Sequence, residues 1–135
     1  SYAKCCYPIP GDPILGYISQ EKGIVVHRQK CRSINHMKKQ SDETIDLSWD
    51  DNVDDMFSAS IKVEVDNVRG VLAKISSQIA QNDSNIESVT YDDTKETGHN
   101  IMVFVISIND VKGLNKLIRK LKKNPNILNV ERKKS

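Results

Sequence analysis

Residues 57–82 read FSASIKVEVDNVRGVLAKISSQIAQN, and the period of the apolar residues changes once along the way. Ala59, Ile61, Val63 and Val65 alternate with polar residues, which puts them on one face of a strand over residues 57–66. Val68, Val71, Leu72, Ile75 and Ile79 follow helical spacing instead, which predicts a helix over residues 69–82. Beyond it, residues 85–91 read as a strand, DTKETG (93–98) as a polar hairpin loop, and residues 100–108 as a strand apolar on both faces. Val111, Leu114, Leu117, Ile118 and Leu121 mark a second amphipathic helix, ended by Asn124 and Pro125, and residues 127–131 supply a last strand. The order is βαββαβ, and right-handed crossovers land both helices on one face of a four-stranded sheet. A strand apolar on both faces belongs in the middle of that sheet or under a covered outer face.

Upstream the punctuation is different. Pro8, Pro10, Gly11, Pro13, Gly16 and Gly23 allow only short strands and tight turns. Ile14, Leu15, Tyr17 and Ile18 form one apolar run and residues 24–26 another, with Ser19–Gly23 as the hairpin connection. Ile45, Leu47 and Trp49 alternate with polar residues and would share one face of a third strand. The whole predicts an α+β chain: a small β-rich module (1–50), an acidic linker (51–56), and the βαββαβ unit (57–135).

Charge follows the same division. The net charge of the 135 residues is only +2, but residues 1–40, 41–56 and 57–135 carry +5, −7 and +4. No run approaches the roughly 20 apolar residues of a membrane helix. The opening SYAKCC has neither an initiator Met nor an apolar core of signal-peptide type, so it reads as part of a longer protein. Three cysteines, two of them adjacent, argue against a secreted disulfide framework and for a reduced, cytoplasmic setting.

Three groups of residues could carry function. Cys5, Cys6, His27 and Cys31 offer three thiols and an imidazole, the number and type of donors that zinc takes in a tetrahedral site. Adjacent residues in a strand point to opposite faces, however, and then one thiol would simply pack in a small core. Asp66, Asn67, Val68, Arg69, Gly70, Val71 and Leu72 form the turn into the first helix, where unpaired N–H groups can receive a carboxylate, or where Asp66 or Asn67 can cap the helix. Lys112, Lys116, Arg119, Lys120, Lys122 and Lys123, followed by Arg132, Lys133 and Lys134, form either a solvated basic face or a surface that tracks phosphates. Stacking aromatics are scarce, so sequence-specific base readout is not expected. There is no glycine-rich phosphate loop, nucleophile elbow or paired zinc-helix histidines, and His27, His36 and His99 are scattered. No catalytic constellation is present, and the piece is not expected to be an enzyme by itself.

The stretch CCYPIPGDPILGYISQEKGIVVHRQKCRSI (5–34) closely resembles the conserved-cysteine module of the long RelA/SpoT-type proteins, the bifunctional guanosine tetraphosphate synthetases and hydrolases of the bacterial stringent response. The pattern C-C-x-P-x-P-G-D-x-I-x-G followed by V-H-R-x-x-C matches at Cys5, Cys6, Pro8, Pro10, Gly11, Asp12, Ile14, Gly16, Val26, His27, Arg28 and Cys31. Between the strands the chain departs from it, with one glycine and Ser19 where many members have paired glycines and a threonine. DNVRGVLAKI (66–75) and the βαββαβ order resemble the ferredoxin-like ACT domain that ends those proteins.

The resemblance implies a regulatory region whose catalytic domains, a GTP diphosphokinase and a guanosine-3',5'-bis(diphosphate) diphosphohydrolase, lie elsewhere in a parent chain. It implies docking on the ribosome with tRNA, or restraint of the catalytic half, and it makes Cys5, Cys6, His27 and Cys31 the family's proposed zinc set. Arg28, Lys116, Arg119, Lys120 and Lys123 become candidate RNA contacts. Residues 66–72 become a candidate amino-acid effector site, and the ACT unit a candidate homodimerisation module. No membrane partner is implied.

Overall fold

The computed structural model describes residues 1–33, 43–51, 53–66, 68–92 and 100–133; Asn67, the DTKETG loop, His36, His99 and Lys134 lie outside them. Strand β1 (Ile14–Ser19) is flanked by β2 (Gly23–Arg28) and β3 (Thr44–Leu47) in an antiparallel three-stranded sheet of order β2-β1-β3. The second sheet holds β4 (Phe57–Val65), β5 (Ile86–Asp92), β6 (Asn100–Ile108) and β7 (Ile127–Arg132) in the order β5-β6-β4-β7. Helix α1 (Val71–Gln81) joins β4 to β5, and α2 (Val111–Lys122) joins β6 to β7. The βαββαβ unit is therefore the ferredoxin-like arrangement that the periodicity predicts, with both crossovers returning to one sheet.

Alternation decides which side of the large sheet is buried. Ala59, Ile61, Val63 and Val65 of β4 and Met102, Phe104, Ile106 and Ile108 of β6 turn to Val71, Ile75 and Ile79 of α1 and Leu114, Leu117 and Leu121 of α2. β6 is central, between β5 and β4, which is the first of the two places that its apolar faces allow; on its other face Ile101 is buried and Val103 and Val105 are half-buried. α2 has a conventional start, because the Asp110 carboxylate accepts the N–H of Gly113 at 2.8 Å.

The first module has little core of its own. Its buried cluster is Ala3, Cys6, Leu15 and Cys31, with Tyr17 and Val25 packed against it. So small an apolar interior needs support from outside or from a staple. Part of that support is the second module, because Ile9 belongs to the large core and Trp49 and Val53 pack on it. Trp49 departs from the sequence-based expectation. It lies beyond the end of β3 rather than on its face, its indole donates to the Asp12 carbonyl at 3.0 Å, and its ring meets Tyr2 and Phe57 at centroid distances of 5.8 and 5.3 Å.

Gly11, where the first module meets the second, must be glycine for two reasons. Its φ is +102°, and a Cβ would stand 3.1 Å from Val111 Cβ and Cγ2 at the first residue of α2. Gly11→Ala therefore combines backbone strain with a clash where the modules meet, and we expect it to cost about 2 kcal/mol in denaturant unfolding. Gly23→Ala, at φ +71° with nothing within 4 Å, is the comparison that carries the backbone strain alone.

Candidate functional site

The two adjacent cysteines are not in a strand. Residues 4–6 form a turn closed by the Tyr7 N–H donating to Ala3 O at 3.0 Å, and Tyr7 itself has φ 45°. Side chains that would diverge on a pleat converge here, and the objection from strand geometry falls away. Cys5 Sγ lies 3.5 Å from His27 Nδ1 and 3.5 Å from Cys31 Sγ, while Cys6 Sγ lies 3.9 Å from His27 Nδ1. All four donor atoms fall within 4.8 Å of one another. A tetrahedral site with metal–sulfur bonds near 2.3 Å and metal–nitrogen bonds near 2.05 Å separates its donors by about 3.5–3.8 Å. The cluster thus can hold a metal ion, and β2 and the turn after it supply two of its four donors.

Its surroundings suit that chemistry. Cys6, His27 and Cys31 are buried and Cys5 is exposed, which leaves an entry path. The Arg28 N–H donates to Cys6 Sγ at 3.3 Å, a bond that steadies a sulfur carrying negative charge. Burial pushes the Cys6 thiol up to about 12, and burial together with the Cys31 thiol raises Cys5. These two thiols by themselves stay protonated at neutral pH; a bound cation would reverse that balance by stabilising the thiolates.

Beside the cluster lies a second construction, one half of which has no mark in its own local sequence. The carboxylate of Asp12, almost wholly buried, receives Arg132 in a bidentate pair, Nη1 to Oδ1 and Nη2 to Oδ2, both at 2.7 Å. Arg132 Nη2 also donates to Tyr7 O at 2.9 Å, and the Ile9 N–H donates to Asp12 Oδ2 at 2.9 Å. The Val111 N–H, at the start of α2, donates to Pro10 O at 2.9 Å. The PIPGD segment (8–12) is therefore a joint, which ties the first module to β7 and to the start of α2. Its only local signal is the pair of prolines and the acidic residue; the partner Arg132 stands 120 residues away with nothing in its own neighbourhood to mark it.

Arg28 faces this joint. Its Nε is 3.9 Å from Asp12 Oδ1 and its side chain is largely covered, so burial and the nearby Arg132 charge lower its pKa. Of the other candidate RNA contacts, Lys116, Arg119 and Lys123 are exposed on α2 and its end, whereas the Lys120 ammonium donates to Asn82 Oδ1 at 2.8 Å. The turn into α1 also differs from expectation. The N-cap is Gly70, at φ 86° and with no side-chain cap, so Asp66 does not cap the helix. Asp66, Arg69 and Gly70 are exposed, Val68 and Leu72 pack against the core, and Val71 is buried in it. These placements bring Cys5, Cys6, His27 and Cys31 together at one point and leave residues 66–72 and the α2 basic face as separate surfaces.

The chain is similar to known proteins along its whole length. Residues 1–50 match the RelA/SpoT RIS domain, and residues 54–132 match the ACT domain. The chain is 33% identical over 136 residues to the bifunctional (p)ppGpp synthase/hydrolase SpoT of Escherichia coli K12, covering all of this chain and 19% of that protein. It is 31% identical over 132 residues to the GTP pyrophosphokinase of the same strain, covering 96% of this chain and 18% of that one. It thus spans about a fifth of the length of these relatives. Among solved structures, the ACT domain from the GTP pyrophosphokinase of Chlorobium tepidum aligns at 24% identity and a TM-score of 0.48, over 58% of this chain and all of that one. With a RIS module joined to an ACT module in a single chain, the protein belongs to the RelA/SpoT family.

Proposed function

We propose that this chain is a regulatory region of a long RelA/SpoT-type protein, which senses state on the ribosome with tRNA and conveys it to (p)ppGpp synthetase and hydrolase domains elsewhere in the parent. The observation that carries the reading is the joint. Asp12 and Arg132 bind the module that bears the Cys/His cluster to the last strand of the ACT unit, so a change at one module is felt at the other. The modules divide at residues 50 and 57, with the acidic segment 51–56 between them. Zinc is the metal that suits three thiolates and one imidazole at Cys5, Cys6, His27 and Cys31, where it supplies structural cross-linking and no reaction. The exposed Lys116, Arg119 and Lys123 offer phosphates a cationic face, with Arg28 and Lys120 as further candidates outside it. The reduced thiols suit a cytoplasmic setting, and among the described residues no helix is long and apolar enough to cross a membrane.

Co-sedimentation with ribosomes, with and without deacylated tRNA, tests this. The chain is expected to pellet with ribosomes at low salt. Lys116→Glu with Arg119→Glu and Lys123→Glu should weaken binding and flatten its salt dependence, by about one unit of slope for each phosphate no longer neutralised. The reading fails if the chain stays in the supernatant at low salt and its deletion leaves the parent's regulation unchanged.

A second reading has its own observation. The first N–H groups of α1 carry no side-chain cap, and the space around Gly70 is open, with nothing within 4 Å of where a Cβ would stand. An amino-acid carboxylate could take that place, at Asp66 to Leu72, in a homodimer built through the ACT unit. Calorimetry with branched-chain amino acids at millimolar concentration would show no heat if this reading is wrong.

A further inference from the structure

A cavity of about 190 Å³ lies between the N-terminal turn and the face of the large sheet that points away from both helices. It is distinct from the turn into α1 and from the basic face of α2, and it borders the Cys/His cluster, since Cys5 and Cys6 are among its lining residues. Lys4 enters it from the first module and Lys133 from the end of β7, and the hydroxyl-bearing Ser60, Ser88 and Thr90 line it from β4 and β5. No carboxylate is among its lining residues.

Two features mark it as a site rather than a gap. Lys4 and Lys133, both exposed, border the same cavity and neither has an ion pair among the described residues, so no carboxylate of those residues offsets their charge there. Ser60 is only 6% exposed, and its hydroxyl makes no hydrogen bond among the described residues, so what remains open to it is the cavity. A ligand there would satisfy that hydroxyl. The position is also held by the backbone, because the Lys133 N–H donates to Ser60 O at 2.9 Å and so anchors the lysine beside the serine.

We propose that this cavity binds a phosphoryl-sized oxyanion, either inorganic phosphate or the phosphate group of a small metabolite. Two cations match the double charge of a phosphate monoester, and three hydroxyls can donate to its remaining oxygens. A carboxylate has one charge and two oxygens and would leave part of this set unused. Because residues of both modules surround the anion, its binding also reports on the docking of one module against the other.

The test is an amide chemical-shift titration of the 135-residue chain with sodium phosphate, sodium acetate and sodium chloride at constant ionic strength. Phosphate is expected to shift the amides of Ser60, Ser88 and Lys133 saturably, and acetate and chloride to shift them little. Lys4→Gln is expected to weaken phosphate about tenfold, and Lys133→Gln, on the other module, to do the same. Lys22→Gln, exposed in the hairpin between β1 and β2, is the control that should leave binding unchanged. Glycerol 3-phosphate distinguishes the two sources: tighter binding than inorganic phosphate points to a phosphorylated metabolite, weaker binding to the free ion. No saturable shift, an equal response to acetate, or phosphate binding unaffected by both lysine variants overturns the proposal.

Discussion

Arg132→Met is expected to destabilise the chain by about 3 kcal/mol in denaturant unfolding, because it strands a buried carboxylate that has lost a bidentate partner. Asp12 would keep the Ile9 N–H and a guanidinium 3.9 Å away on Arg28, which offset only part of the loss. The Tyr7 carbonyl would lose its donor as well. Asp12→Asn should be costly for the mirror reason, since it leaves Arg132, with 15% of its side chain exposed, beside a neutral amide. The double variant Asp12→Asn with Arg132→Met should be milder than the sum of the single effects, because no charge is left unpaired. Additive effects in that cycle would show that the two side chains act independently and that the joint lies in Trp49, Pro10 and the aromatic pairs instead.

Zinc is expected to bind at about one equivalent per chain and to stabilise the folded state by about 4 kcal/mol when free zinc stands about 1,000-fold above its Kd. The reason is the size of the first module's interior: Ala3, Cys6, Leu15 and Cys31 are a thin core, two of them metal donors. Metal content by mass spectrometry, with thiol titration before and after chelation, measures this directly. Thiols that react only after chelation, together with a lower unfolding midpoint, are the expected result. Cys31→Ser should weaken zinc by more than about 100-fold, beyond the effect of substituting residues that only support a metal's ligands. Three freely titrating thiols and no metal in protein purified from a zinc-replete culture would show that the cluster is packing only. The joint would keep its role in that case, since the Asp12–Arg132 pair is made by neither a thiol nor the imidazole.

The two modules differ in how much of each is written locally. In the ACT unit, Ala59 to Val65 and Val71 to Ile79 carry periods of two and 3.6 residues, each set by neighbours within a few positions. Burial of those faces then leaves one economical arrangement of strands and helices. The first module has no such stretch, and only its turn chemistry is legible: Pro, Gly and the hairpin between β1 and β2. Alternation with Ile45 and Leu47 misplaces Trp49, because it continues past the point where the strand ends and the side chain turns to Phe57. Asp66 misleads about the N-cap of α1, being a good capping residue in the wrong place; the chain runs four residues further, to a left-handed glycine, before the helix begins.

By itself, then, the order of residues determined the βαββαβ architecture, the apolar faces of both helices and the identity of four candidate metal donors, because each is a matter of local period or of residue type. Only the tertiary structure decided that Cys5 and Cys6 face the same point, that Arg132 closes on Asp12, and that Lys4 and Lys133 share a cavity. Those meetings join positions 120 residues apart in sequence for Asp12 and Arg132, and further apart for the two lysines. No periodicity links such positions; they meet because the burial of two cores brings the ends of the chain together, and the charges and thiols are carried along.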